Sequence, residues 1–366
     1  MTSRIPIAVI GCGYWGSKHV RIALGIPSVR LVWAVDVRQD RLNYIRSEYN
    51  RVAVSRSFDS ILASDVAGVV IATPISTHFE LAKAALEAGK NVLIEKPMAM
   101  TSAECRTLIA ISERKSLILM VGHTFEYHPA VRFMEDVIKR GGLGNLHYIS
   151  SRRLNLGLYQ SDTNVLWDLA PHDFSIIFSL LGNRVEKIDA WGCAHVFPDV
   201  EDVAYAMVKF SGGVKAHLHV SWLDPVKVRQ VTVVGSEGML VFDDVLPAEK
   251  VRVYDKCFKP TTTNGDSYAD FVSAYHHGDV HIPSIAVAEP LKLEFLDFVT
   301  AMSTGKQPRA DGRSGLRVVQ ALEAASKRIH HQTIIRNAAK TPPRTVLPQI
   351  RKVAAAHNPN VFNKIQ

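Results

Sequence analysis

Gly11-Cys12-Gly13-Tyr14-Trp15-Gly16 follows an apolar run, Ile5 to Ile10, and opens a helical stretch that reaches Leu24. Each glycine has a physical use. Gly11 suits a tight turn, Gly13 lets the backbone approach a pyrophosphate, and Gly16 lets a helix pack close on a strand. The helix start adds free N–H groups and a positive dipole end. Asp36 lies 20 residues past Gly16, at the end of a second strand from Arg30, where a carboxylate accepts hydrogen bonds from ribose hydroxyls. That carboxylate repels a 2′-phosphate and favours NAD as the cofactor, an effect Arg38 partly offsets. Outward from this motif, strands at 66–72, 91–94 and 117–121 alternate with helical sequence, including an amphipathic stretch 77–88 closed by Gly89. Near-continuous apolar strands alternating with helices predict a parallel sheet covered on both faces.

The pattern changes after His123. A helix over 129–140 ends at Gly141-Gly142, and β-rich segments follow at 145–155, 187–196, 202–210, 214–222, 228–235 and 239–243. Gly212-Gly213 and Ser236-Glu237-Gly238 read as hairpin turns, so this run predicts a large, mainly antiparallel sheet. Residues 255–285 lack clear periodicity and read as a long excursion. Residues 289–304 and 312–330 read as closing helices. The fold class is α/β: a dinucleotide-binding domain over 1–122, an α+β substrate-binding and oligomerisation domain with an open sheet over 123–340, and a basic tail over 341–366.

The chain has 366 residues, enough for two domains, and its 47% hydrophobic content excludes wholesale disorder. No apolar stretch is long enough for a membrane span, and strand-like sequence from Ile5 leaves no room for a leader, so the expected compartment is the cytoplasm. The net charge of +8 does not mark a nucleic-acid protein. The last acidic residue is Glu323, and eight basic residues beyond it supply the whole excess. A nucleic-acid surface places its cations on a folded face among aromatics, and this tail has a single aromatic, Phe362. Cys12, Cys105, Cys193 and Cys257 are too far apart for a zinc site or a disulfide framework.

Three further segments carry chemistry. They are Ala72-Thr73-Pro74 with Thr77-His78, then Glu95-Lys96-Pro97, then Trp167-Asp168-Leu169-Ala170-Pro171-His172-Asp173. Open parallel sheets bind ligands beyond the carboxyl ends of their strands, which places Lys96 near the reactive end of a dinucleotide. Asp168 and His172 share one face if both are helical, and Pro171 leaves open a helix that begins only there. A lysine, a carboxylate and an imidazole beside a nicotinamide suit alcohol oxidation, in which a hydride leaves carbon while a base takes the hydroxyl proton.

Together with the glycine motif, these segments resemble the Gfo/Idh/MocA family of oxidoreductases over about residues 5 to 330. Pro308, Asp311-Gly312 and Gly315 resemble the family's approach to its last helix. The resemblance implies a Rossmann domain that binds NAD and a catalytic set of Lys96, Asp168 and His172. His172 is the preferred general base, Lys96 stabilises developing alkoxide charge, and Asp168 orients substrate or imidazole. It places Gly11, Gly13, Tyr14, Trp15, Gly16, Asp36, Arg38, Thr73, Pro74, His78, Glu95 and Lys96 around the cofactor. It places His123, Glu126, Tyr127, Arg153 and Asn155 toward the substrate. His78 also reads as a histidine packed on the sheet, and Arg153 as half of a salt bridge. His217 and His219 read as sheet-surface residues, without a third metal ligand, and Trp222 as packing.

The resemblance is strongest to members acting on nucleotide-linked sugars, with oxidation of UDP-N-acetylglucosamine at C3 as the specific expectation. A dehydrogenase or ketoreductase of another sugar or of inositol, and a non-catalytic NAD-binding sensor, are the competing readings. A homo-dimer or homo-tetramer is expected, because an antiparallel sheet has a second face to cover.

Overall fold

The structure is a computed structural model that describes residues 5–157, 159, 163–182, 185–258, 275–329 and 331–333. The basic tail predicted from residue 341 lies outside these.

The first sheet is parallel, with strands in the order β3-β2-β1-β4-β5-β6. They are β1 (Ile5–Ile10), β2 (Val29–Val35), β3 (Val52–Ser55), β4 (Gly68–Ile71), β5 (Asn91–Ile94) and β6 (Leu119–Val121). Helices α1 (Tyr14–Leu24), α2 (Gln39–Glu48), α3 (Asp59–Leu62), α4 (His78–Glu87) and α5 (Ser102–Arg114) connect them. Thr101 and Glu104 start α5 with a reciprocal capping box. The order reverses between β1 and β4, and there the glycine motif and Thr73 meet.

A 3-10 turn, Thr124–Tyr127, leads into α6 (Pro129–Lys139) and the second sheet. Its strands include β7 (Leu146–Leu156), β8 (Val185–Ala194), β9 (Val203–Phe210), β10 (Lys215–Ser221), β11 (Leu223–Gly235), β12 (Met239–Asp243), β13 (Val251–Phe258) and β14 (Tyr275–His281), with α7 (Val165–Leu181) between β7 and β8. They run in the order β14-β13-β12-β11-β7-β10-β9-β8. All these pairs are antiparallel except the central β7–β10 pair. The sheet is therefore mainly antiparallel, as expected. β13 and β14 correct the expectation of an irregular 255–285 at both its ends. Their residues are mostly half-buried or exposed, so they carry no strong apolar alternation. Gly212 and Gly213 both adopt positive φ between β9 and β10.

Helices α6, α7 and α9 (Gly312–Ser326) contribute to the core on one face of the second sheet. Helix α8 (Pro290–Thr304) returns to the first sheet. Its Leu291, Phe295 and Phe298 pack in one core with Ile7 and Val9 of β1 and Val20 of α1.

Candidate active site

The glycine motif has the shape its sequence implies. Gly11 has φ +87°, and a Cβ on it would meet the Ala72 carbonyl oxygen at 2.7 Å. A Cβ on Gly16 would lie 1.7 Å from the Gly11 carbonyl oxygen, so only glycine lets α1 approach this closely. A Cβ on Gly13 would meet nothing within 4 Å, so the backbone there is bare. No side chain caps α1, which leaves its first N–H groups available to phosphate oxygens. Asp36 closes the loop: its carboxylate accepts from the Cys12 N–H at 2.7 Å and the Arg38 N–H at 2.8 Å. The Arg38 guanidinium is engaged by Asp40. These residues fit a dinucleotide.

Beside that loop, α4 begins with His78, which is 1% exposed. Its ring nitrogens lie 2.9 Å from the carbonyl oxygens of Pro97 and Thr73. His78 therefore ties the Thr73-Pro74 turn to the segment after β5 and also lines a small cleft shared with Trp15, Thr73, Pro74 and Lys96. Burial lowers its pKa. Glu95, at the end of β5, is buried and hydrogen-bonded to His19 at 2.8 Å. Burial raises the Glu95 pKa, but His19 and the Lys96 charge outweigh it and hold the carboxyl below its usual range. His19 carries no sequence motif, so its partnership was not legible.

Lys96, Asp168 and His172 converge. The Lys96 ammonium donates to the Asp168 main-chain carbonyl at 2.7 Å and stands 3.5 Å from its carboxylate. The other Asp168 oxygen accepts from the Trp222 indole at 3.1 Å, so Trp222 does more than fill space. Helix α7 begins at Val165, with Asn164 as N-cap accepting from the Trp167 N–H at 3.1 Å. Pro171 lies inside the helix, and Asp168 and His172 are both helical. The one-face spacing therefore applies. His172 stands edge-on to Phe125 at 5.2 Å. Its Nδ1 is buried without a partner. Burial, then the charges of Lys96 and Arg153, push this imidazole well below its ordinary range, so it is neutral at pH 7.

His172 and Lys96 line a cleft of ≈460 Å³ between the two sheets. Arg153 lines it too, 3% exposed, with its guanidinium forked on Asp173 at 2.8 and 3.3 Å and 4.6 Å from the Phe125 ring. Lys227 and Arg229 line it from the same sheet as Arg153, and Tyr14, Trp15 and Lys18 line it from the start of α1. A hydrogen bond and charge from Lys18 lower the Tyr14 phenol, and Arg229 and Lys227 add to this.

The structure does not bring every candidate to this cleft. The 3-10 turn puts Thr124 and Phe125 on the cleft wall and sends their neighbours inward. His123 is fully buried, both ring nitrogens lack partners, and burial pushes its pKa to about 3. Glu126 is buried on the Ser314 hydroxyl, and burial pushes its carboxyl to about 8. The Tyr127 hydroxyl donates to Asp297 at 2.7 Å. Asn155 shares the Arg153 face of β7 by strand alternation and is absent from the cleft lining. His217 and His219 stack on Tyr148 and Tyr205, and among the described residues no cluster of His, Cys, Asp and Glu could hold a metal.

Two family models match. One describes an oxidoreductase family with an NAD-binding Rossmann fold, over residues 5–123, and the other a GFO/IDH/MocA C-terminal domain, over 131–241. The chain belongs to the Gfo/Idh/MocA family of oxidoreductases. Like its family, it is an NAD(P)-dependent enzyme acting on CH–OH groups, with NAD as its cofactor. The UDP-N-acetylglucosamine 3-dehydrogenase of Acidithiobacillus ferrooxidans is 29% identical over 324 residues, covering 86% of this chain and 93% of that protein. Its solved structure superposes with a TM-score of 0.75 at 26% identity, covering 89% of this chain and 97% of that one. The NAD complex of GenD2, from gentamicin A biosynthesis, gives a TM-score of 0.74 at 25% identity, covering 90% and 95%. No helix among the described residues is long and apolar enough to cross a membrane.

Proposed function

We propose that this enzyme oxidises a secondary hydroxyl of a nucleotide-linked sugar to a ketone, with UDP-N-acetylglucosamine, at C3, as the substrate. The observation that carries this reading is the meeting of Lys96 and His172 in one cleft beside the glycine motif, with Asp168 held on Lys96 and lining the smaller cleft next to it. When bound, NAD supplies the hydride acceptor. Neutral His172 takes the hydroxyl proton. Its Nδ1 is sealed in the protein, so Nε2 is the nitrogen left for that task. The Lys96 ammonium hydrogen-bonds the reacting oxygen and stabilises alkoxide charge as it develops. Asp168, itself held by Trp222, fixes the ammonium rather than the imidazole. Asp36 supports a preference for NAD over NADP, because Arg38 is already engaged by Asp40.

Incubation with NAD and UDP-N-acetylglucosamine is expected to produce NADH, followed by its near-ultraviolet absorbance. No signal with that substrate and a robust one with free inositol would reject the assignment. The likeness to the Acidithiobacillus enzyme along most of both chains supports the nucleotide-sugar class.

The chain also associates with copies of itself in this reading. Tyr148, Trp191, Tyr205 and Met207 stay 43 to 45% exposed on the second sheet, a row of large apolar groups unusual for a free surface. Sedimentation should give a dimer or tetramer, and a monomer at micromolar concentration would overturn this.

A further inference from the structure

The cleft carries more positive charge than its catalytic set uses. Most of its charged groups are already matched. Arg153 is satisfied by Asp173, Lys96 by Asp168, Glu95 by His19, and Glu289 by Arg21. Three cations at its mouth are not. Lys18 donates to the Tyr14 hydroxyl at 3.0 Å and sits over the Tyr14 and Trp15 rings at 4.2 and 5.1 Å, contacts that leave its charge uncompensated. Lys227 has no carboxylate partner among the described residues. Arg229 reaches Asp244 at 3.4 Å, but that carboxylate is shared with Lys250 and His128, each 3.7 Å away. The Arg229 Nε is buried with no hydrogen-bond partner.

The backbone accounts for this arrangement. On β11, Leu223 pairs with Leu156 and Val228 with Leu154 of β7, so the four β11 residues between these pairs face a single residue, Asn155, on the partner strand. This bulge lifts Lys227 out of the ladder and over the cleft. Past the bulge, Arg229 lies directly opposite Arg153. Like charges in register on adjacent strands repel. A site that keeps them so, with one guanidinium nitrogen unpaired, is built for an anion that spans them.

We propose that Lys18, Lys227 and Arg229 clamp the diphosphate of the nucleotide-linked substrate at the mouth of the cleft, with the sugar lying inward against Lys96 and His172. This deepens the proposed function and rests on its nucleotide-sugar reading. Two ammonium groups and a forked guanidinium supply charge-assisted donors for two phosphates. A free sugar or an inositol offers them nothing, so the clamp selects nucleotide sugars over neutral polyols.

The test is calorimetric titration of the full-length enzyme, saturated with NAD, with UDP and with uridine. Wild type is expected to bind UDP at least about tenfold tighter than uridine. Lys227→Met, an exposed position, should erase most of that preference, and Arg229→Met should do the same. With UDP-N-acetylglucosamine the loss should appear in KM. Equal affinity of wild type for UDP and uridine would overturn the clamp, as would variants that bind UDP as wild type does. Variants that weaken NAD and spare UDP would also overturn it, by assigning these cations to the cofactor's pyrophosphate. UDP binding that depends on Lys227, without turnover of any nucleotide sugar, would support the clamp and reject the proposed substrate reaction.

Discussion

The two walls of the cleft are built by different means. The cofactor wall is made largely of backbone: three glycines within six residues, an uncapped helix start and one carboxylate that ties the loop. The substrate wall is made of side chains from strands far apart in sequence, with Arg153 on β7 set against Arg229 on β11 by register. At Gly11 and Gly16 the backbone wall tolerates almost no change, because each is a main-chain approach with no room to yield. A side-chain wall changes by degrees, since each group can be exchanged while the strand stays in place.

Three measurements can break or sharpen this contrast. The largest effect belongs to the backbone wall. Gly16→Val would drive side-chain atoms into the Gly11 carbonyl, so NAD binding should be lost even at millimolar concentration. A variant that titrates with NAD within tenfold of wild type would end the claim that this wall is intolerant.

Next come the reacting side chains. Lys96→Ala and His172→Ala should each lower kcat by about 10²- to 10⁴-fold and leave the fold intact. Turnover within about threefold of wild type would remove them from the reaction.

The smallest effect lies at the seam between the walls. His123 is buried and neutral with its pKa at about 3, whereas an unfolded histidine titrates near 6.5. The unfolded chain therefore binds more protons between these values, and His123 makes stability fall as pH drops through that window. From pH 7.5 to 5 this costs about 2 kcal/mol. His123→Phe should flatten that part of the urea-unfolding profile, and an unchanged slope would show that other groups set it.

The same contrast explains what the sequence made legible. Gly11, Gly13, Gly16 and Asp36 form a local pattern, so their geometry follows from spacing. Asp168 and His172 were legible as a helical pair, but whether Pro171 sat inside the helix depended on Asn164 capping it nearly two turns earlier. His123, Glu126 and Tyr127 adjoin Phe125 in sequence and not in direction, because a 3-10 turn aims successive side chains at different neighbours. Lys227 and Arg229 were invisible as site residues. Nothing in a single strand announces a bulge or the register of its partner. β13 and β14 escaped for a related reason, since strands so little buried need no alternation.

The return of α8 to the first sheet has a consequence for how the enzyme is made. During synthesis the nucleotide-binding half leaves the ribosome first, yet the core around Ile7, Val9 and Val20 stays incomplete until Phe295 and Phe298 emerge well over two hundred residues later. A nascent or truncated polypeptide ending before residue 290 exposes an oily surface, which marks it for chaperones and makes the amino-terminal half a poor candidate for expression by itself.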